Sequence, residues 1–300
     1  MQKTQTHESA PVSTLETELT TSSSWDEVSD YVTNLTHEPD FIAYTEEQEL
    51  EMSSMEYAET LSHYAETSIE QQGQLIDERA AAQIRLVANA PYVVHASLRI
   101  NELKSRRRDG GKLPSHEWNE LNTLKKKAIW YNQTMNDYMY TFDSESFSAI
   151  SQTTSDQVLD HFVHDSNTAT TMEGIVRGAR TEAATRHLLD DCSVPYRAAT
   201  ATEDLRGADV IVILPNGEYD IDVKRSLDQL AENNGGYNFT ETKRLYSIAT
   251  NRQGHKRILF FPGFTDNDLG DNLRLSKEAT EARKDIIRAQ LTLAINEMTT

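Results

Sequence analysis

The sequence predicts an α/β protein in two parts, a mostly α-helical N-terminal region and a C-terminal α/β domain, and three observations lead there. From Ser24 to Phe142, apolar residues recur at helical spacing between capping signals. Two β-branched runs, Asp209 to Leu214 and Glu218 to Lys224, flank Asn216-Gly217, a dipeptide that tolerates the positive φ angles of a tight hairpin turn. A short apolar strand and a long amphipathic helix close the chain, giving the order α-β-β-β-α-β-α from residue 171 onward. At 300 residues there is room for a domain of about 120 to 150 residues and a second region.

Residues 1–23, rich in Ser, Thr, Glu and Gln, read as a disordered tail. The helical region, 24–142, opens with Ser24-Trp25-Asp26-Glu27, a capping box followed by Val28, Val32 and Leu35. Pro39 reads as a break, and Thr45 to Gln48 as a second capping box opening a long helix through Leu50, Met55, Ala58, Leu61, Ala65 and Ile69. A helix from Asp77 to Ala90 is expected to stop before Pro91 and to resume from Tyr92 to Arg108. Ser115 is expected to cap a helix from His116 to Tyr140, with Trp118, Leu121, Leu124, Ile129 and Trp130 as its apolar positions.

The Ser/Thr-rich stretch after residue 142 reads as a junction, 143–170, holding a short helix from Asp156 to Val163. Residues 171–300 form the α/β domain: a helix from Thr171 to Leu189, a strand from Val194 to Thr200, a loop from Glu203 to Gly207, then the hairpin. Helices follow over Ser226 to Ala231 and Thr240 to Thr250, then a strand from Arg257 to Phe261 and a closing helix from Ser276 to Met298.

Hydrophobic content is 37%. No apolar run approaches the roughly 20 residues of a membrane span, and the N-terminus lacks a signal peptide's apolar centre. A soluble, cytoplasmic protein without membrane contact is expected. Cys192 stands alone, which excludes an intrachain disulfide. The net charge of −19 opposes nucleic-acid binding, but unevenly: residues 1–150 hold 12 Lys+Arg against 25 Asp+Glu, and residues 151–300 hold 17 against 23. Scarce lysine with abundant Asp, Glu and Thr fits a halophilic cytoplasm, where acidic surfaces stay hydrated. Residues 25–78 contain 15 acidic residues and no Lys or Arg; they read either as a solvated helix face or as a surface that meets basic groups. The clusters Lys104 to Lys112 and Lys125 to Lys127 fit phosphate contact or pairing with that acidic face.

With Asn216 and Gly217 as the two loop residues, Ile213 lies opposite Asp220, Ile211 opposite Asp222 and Asp209 opposite Lys224. Directly paired residues share a face. Asp209, Asp220, Asp222 and Lys224 therefore occupy one face, with Asp209 diagonal to Asp222 at roughly 6 to 8 Å between Cβ atoms. Val210, Val212, Leu214, Tyr219, Ile221 and Val223 occupy the other, which is apolar throughout and expected to be buried. Two carboxylates converging beside an ammonium suit metal-dependent hydrolysis of a phosphodiester. Hard oxygens, with a backbone carbonyl such as that of Val223, suit Mg²⁺ or Mn²⁺, and a nearby ammonium can orient water or stabilise developing charge.

The segment Arg177-Gly178…Glu182…Asp209…Asp222-Val223-Lys224 resembles the PD-(D/E)xK, or restriction-endonuclease-like, nuclease superfamily, and within it is most like archaeal Holliday-junction resolvases. The resemblance covers about residues 171 to 262. It implies an αβββαβ core, with Glu182 as an auxiliary metal or water ligand, Asp209 and Asp222 as metal ligands, and Lys224 as the water-orienting or charge-stabilising base. It also implies DNA as substrate, branched or junction DNA included, and a homodimer, since resolvases act as dimers. Two positions depart from the pattern: Ala208 replaces the usual Pro, and Asp222 stands where resolvases usually have Glu.

Arg177, Arg180, Arg225, Lys243 and Arg244 are the cations expected to follow a nucleic-acid backbone, and residues 241–257 hold five Lys+Arg against one Glu. A non-cleaving DNA-binding or assembly protein of a mobile element, retaining the fold, is the alternative. No Walker loop, HExxH or GxSxG occurs. His161-x-x-His164-Asp165 could present two imidazoles on one helix face, but with no other His or Cys near it in sequence a zinc site is not expected.

Overall fold

The computed structural model describes residues 19–20, 23–73, 75–108, 111–142, 146–162, 166–224, 245–250, 256–264, 268–270, 273–276 and 281–299. The chain divides into two compact units, one of Met1–Tyr131 with Ala149–Glu173 and one of Asn132–Ser148 with Gly174–Thr300. No helix among the described residues is long and apolar enough to cross a membrane.

The first unit is helical. It contains α1 (Trp25–Thr36), α2 (Pro39–Glu47), α3 (Met55–Gln71), α4 (Glu78–Arg108), the first part of α5 (Ser115–Thr141), most of α6 (Ser146–Phe162) and the start of α7 (Ser166–Asp191). The Ser24 capping box forms: Glu27 N–H donates to Ser24 Oγ at 3.2 Å, and Ser24 N–H to Glu27 Oε2 at 2.6 Å. Trp25, Val28, Val32 and Leu35 are buried as their spacing predicts. The acidic face meets basic groups where Glu66 pairs with Arg85 of α4 at 3.0 Å and Glu59 with Lys127 of α5 at 3.9 Å. Arg106 likewise pairs with Glu117 at 2.8 Å.

Several expectations for this unit are corrected. Pro39 opens α2 rather than breaking a helix, because a first-turn proline forfeits no helical hydrogen bond. Thr45 lies in the last turn of α2, with its hydroxyl donating to the Phe41 and Ile42 carbonyls at 3.0 Å. The cap of α3 is Ser54, which accepts from Tyr57 N–H at 3.0 Å. α4 runs through Pro91 without stopping. An interior proline costs about 3 kcal/mol, and here the buried neighbours Val87, Ala88, Ala90, Tyr92, Val93 and Val94 hold both halves in one helix. From Ser146 to Phe162 the Ser/Thr-rich junction is helical as α6, whose Ile150 and Val158 are buried, and Thr154 turns its hydroxyl onto the Ile150 carbonyl at 2.6 Å. Trp118 and Trp130 stay largely exposed while Leu121 and Leu124 are buried. Of the segment read as a tail, residues 1–18 lie outside the described residues, whereas Leu19 is buried and pairs with Ile76.

The second unit is mixed α/β. Its strands are β1 (Tyr196–Ala198), β2 (Val210–Leu214), β3 (Gly217–Val223), β4 (Tyr246–Thr250) and β5 (Lys256–Phe260), with α8 (Ala201–Asp204) between β1 and β2 and α9 (Glu281–Thr299) at the end. They form one sheet in the order β1-β2-β3-β5-β4. The pair β3–β5 is parallel and the other pairs are antiparallel. Val210, Val212, Ile221 and Val223 join Ile258, Phe260, Leu188 and Leu189 in a core that Ile287, Leu291, Ala294, Ile295 and Met298 of α9 cover.

Residues Tyr246 to Thr250 are a strand and not the end of a helix, since Tyr246 and Ile248 alternate onto Phe260 and Ile258 of β5. Glu203 to Gly207, expected as a loop, begins inside α8, which Thr200 and Glu203 close with a capping box. The expected helix at Ser226 to Ala231 and the start of that at Thr240 lie outside the described residues. α9 begins at Glu281, with 277–280 outside them.

Candidate active site on the charged face of the sheet

The hairpin register differs from the expected one by two residues. Leu214 pairs with Gly217, Ile213 with Glu218, Ile211 with Asp220 and Val210 with Ile221. Pro215 and Asn216 take the corner. A type I′ turn centred on Asn216-Gly217 needs positive φ at both residues, whereas only Gly217 has it, at 144°. A slip of two conserves the faces, because side chains alternate with period two, and changes the partners. The paired register ends at Val210: Asp209 N–H donates to the Ile221 carbonyl at 2.9 Å, one residue out of step with it, so the ladder bulges there and Asp209 meets Asp222 through its carboxyl.

The side chains then assemble around that pair. Val223 N–H donates to Asp209 Oδ2 at 2.6 Å. The Asp209 and Asp222 carboxyls hydrogen-bond one another, in the sense that lowers Asp222. The Lys224 ammonium is paired with Asp222 Oδ1. Parallel pairing sets Arg257 of β5 beside Asp220, and its guanidinium lies 3.8 Å from Asp222 Oδ2 and 3.9 Å from Asp220 Oδ2. Gly207, at φ 89°, makes room for this arginine: a Cβ there would stand 2.6 Å from Nη1. Asp222 is 6% exposed, and Glu182, Asp204, Asp209 and Lys224 are partly buried.

Glu182 of α7 is oriented by a relay that its local sequence does not announce. Arg186 donates to Asn136 Oδ1 at 2.8 Å, and Asn136 Nδ2 donates to Glu182 Oε2 at 2.9 Å. Gln133, one turn earlier on α5, donates to the Ala199 carbonyl at 3.1 Å and to Asp204 Oδ2 at 3.4 Å. Asp204, Gln133 and Asn136 are members of the cluster that sequence reasoning missed. The Thr200-x-x-Glu203 capping signal could have marked α8 and hence Asp204; nothing in the amphipathic pattern of α5 marks the other two.

The electrostatics are those of crowded acids. Burial, then the charges of Asp204 and Asp222, push Glu182 up to about 7 against the Asn136 hydrogen bond and Lys224. Burial, then Asp222, push Asp204 up to about 6. Burial, then Glu182 and Asp222, hold Asp209 well above the carboxylate range. Burial raises Asp222 as well, with Lys224 and Arg257 opposing. Burial alone would lower Lys224, but Asp222, Asp209 and Glu182 outweigh it and raise it.

The donor set fits a hard divalent cation in kind: carboxylate oxygens whose mutual repulsion such a charge would relieve. Asp209, Asp222 and Glu182 are the side chains that would hold it, with the Val223 carbonyl. As placed, the Lys224 ammonium supplies positive charge at the pair, and among the described residues no three His, Cys, Asp or Glu side chains form a ready-made cage.

Of the expected nucleic-acid contacts, Arg177 is exposed on α7, and the Arg180 guanidinium stacks 4.2 Å from the Phe147 ring. Arg225, Lys243 and Arg244 lie outside the described residues. Comparison of the chain with family models, with curated proteins and with solved structures finds no match.

Proposed function

We propose that the second unit is a Mg²⁺- or Mn²⁺-dependent DNA endonuclease, as its resemblance to the PD-(D/E)xK nucleases implies. The observation that carries this reading is the convergence of the Asp209 and Asp222 carboxyls where β2 meets β3, with Lys224 on Asp222 and Glu182 raised beside them. Hydrolysis forms a bond from water oxygen to phosphorus and breaks one phosphate ester bond. The bound cation supplies charge neutralisation at the phosphate and acidifies water.

The chain's own residues do the rest. Lys224, held next to the acids, orients the water or stabilises the charge that develops on the phosphate. Glu182, with its affinity for a proton raised into the neutral range, is suited to accept one from that water. Arg257 adds a second positive charge facing Asp222. Exposed Arg177, on the helix that carries Glu182, is placed to meet the polyanion.

Supercoiled, branched and linear DNA incubated at molar salt with Mg²⁺ or Mn²⁺ tests the proposal, with Asp222→Ala and Lys224→Ala beside the wild type. Metal-dependent cutting that both substitutions reduce at least a hundredfold is expected. Cutting that persists unchanged in both would refute the site. DNA binding with no substrate cut would favour a non-cleaving DNA-binding or assembly protein of a mobile element.

A further inference from the structure

The first unit carries a positive patch that its own acids leave uncovered. Residues 103–127 hold eight Lys+Arg against three Asp+Glu, in a chain whose net charge is −19. Several basic side chains of the unit are paired: Arg85 with Glu66 at 3.0 Å, Arg99 with Glu120 and Glu102 at 2.7 Å, Arg106 with Glu117 at 2.8 Å and Lys127 with Glu59 at 3.9 Å. These pairs occupy Glu102, Glu117 and Glu120, the acids nearest the patch in sequence, and Asp109 lies outside the described residues. Among the described residues, no carboxylate pairs with Lys104, Arg107, Arg108, Lys125 or Lys126.

Two helices bring these five cations together. Ile100 and Leu103 of α4 meet Leu121 and Leu124 of α5 in one buried cluster. Lys104, Arg107 and Arg108 lie within one turn of each other on α4, and Trp118 and Lys125 lie two turns apart on α5, so each set shares a helix face. The Arg107 guanidinium reaches across to the Trp118 ring, 5.1 Å from its centroid. Partial burial, and then the charges of Lys125 and Arg108, hold Lys104 below the usual ammonium range. Cations from both helices therefore crowd one another.

Like charges at such spacing repel, and a polyanion relieves them, because phosphates along a backbone meet several cations at once and release their counterions. The acidity of the rest of the chain opposes this only weakly. Charges farther away than a Debye length, about 8 Å at physiological ionic strength, are screened. Trp118 then discriminates among polyanions. It stays 36% exposed beside the cations, and an indole in that position offers a surface on which an unpaired base can stack. An acidic peptide has no base to place there, and in a duplex the bases are already stacked on one another.

We propose that this face of the first unit binds single-stranded nucleic acid, with Lys104, Arg107, Arg108, Lys125 and Lys126 following the phosphates and Trp118 stacking on a base. Arg107, held over the indole, keeps that ring at the edge of the phosphate path.

The test uses the full chain in the presence of chelator, where no metal-dependent cutting occurs, so its outcome is separate from that of the nuclease reading. Binding of a labelled single-stranded oligonucleotide is followed by fluorescence anisotropy. Five phosphate contacts predict a slope of about −3.5 for log affinity against log salt, roughly a hundredfold loss between about 50 and 200 mM. The triple variant Lys104→Gln, Arg108→Gln, Lys125→Gln is expected to flatten the slope to about −1.4 and to lose about tenfold or more in affinity at the lower salt. Arg85→Gln, which removes a cation already paired with Glu66, is expected to bind as wild type does. Trp118→Ala is expected to weaken binding about fivefold or more with the slope unchanged, and to bind an abasic oligonucleotide of the same charge as well as a base-bearing one. Circular dichroism checks the fold of each variant. Four results would each overturn the proposal: no binding by wild type, a folded triple variant or a folded Trp118→Ala as tight as wild type, or equal affinity of wild type for polyglutamate of the same charge.

Discussion

Replacing Glu182 with Gln should stabilise the metal-free protein, by an amount that grows with pH. The carboxyl is raised from 4.5 to about 7 in the fold, and at about 1.4 kcal/mol per pH unit this shift corresponds to roughly 3 kcal/mol. Below the unfolded value the group is protonated in both states, and Glu and Gln should be nearly equivalent, since either can accept the Asn136 hydrogen bond. As pH rises through the folded value, the unfolded chain has already released its proton and the native state is left holding an unfavourable charge. The stability present at low pH is therefore lost in wild type and retained in the Gln variant. The advantage of Gln should be near zero at about pH 4, rise through neutrality and level off at about 3 kcal/mol by about pH 8.5.

The assay must read the correct unit. All three tryptophans, Trp25, Trp118 and Trp130, belong to the first unit, so their fluorescence does not report on the sheet. Amide exchange across Val210 to Leu214 does, measured without divalent ions at constant ionic strength. A difference between Glu and Gln that stays flat with pH, or a Gln variant less stable than wild type at about pH 8.5, would refute the view that the acids are held against their own repulsion.

Two further substitutions probe the supports. Gly207→Ala should cost about 1 to 2 kcal/mol for the left-handed backbone alone, and more because its Cβ meets Arg257. In an Arg257→Ala background only the backbone part should remain, so equal losses in denaturant titrations of the two backgrounds would contradict the close approach. Ser24→Ala removes the hydroxyl half of the α1 capping box and should cost about 1 kcal/mol, read from Trp25 emission in urea; no shift of the midpoint would contradict the cap.

Legibility followed the range of the interaction that fixes each feature. The two faces of the hairpin were readable because alternation is local and survives a slip of two residues. Its partners were not, because β1 and β5 flank the pair and only Gly217 of the corner takes positive φ. Asp209, Asp222 and Lys224 could be found from a strand pattern, yet Asn136 and Gln133, which orient two of the acids, sit on an ordinary amphipathic helix about 50 to 70 residues away. The strand at Tyr246 to Thr250 reads as helix in the sequence because five residues of mixed polarity carry little periodicity until β5 is beside them. His161 had no visible partner in sequence, since its neighbour comes from α4.

The Lys224 ammonium on Asp222 bears on the order of events in the life of the protein. A cluster of acids with no tethered counter-charge folds more readily once its cation arrives, which couples folding to ion supply. Here the chain brings one positive charge on its own strand, so maturation and loading can occur separately. Under the proposed reading the same lysine is a placeholder: on loading it gives up its hold on Asp222 and turns to the incoming phosphate, so that a single side chain serves the empty state and the working one.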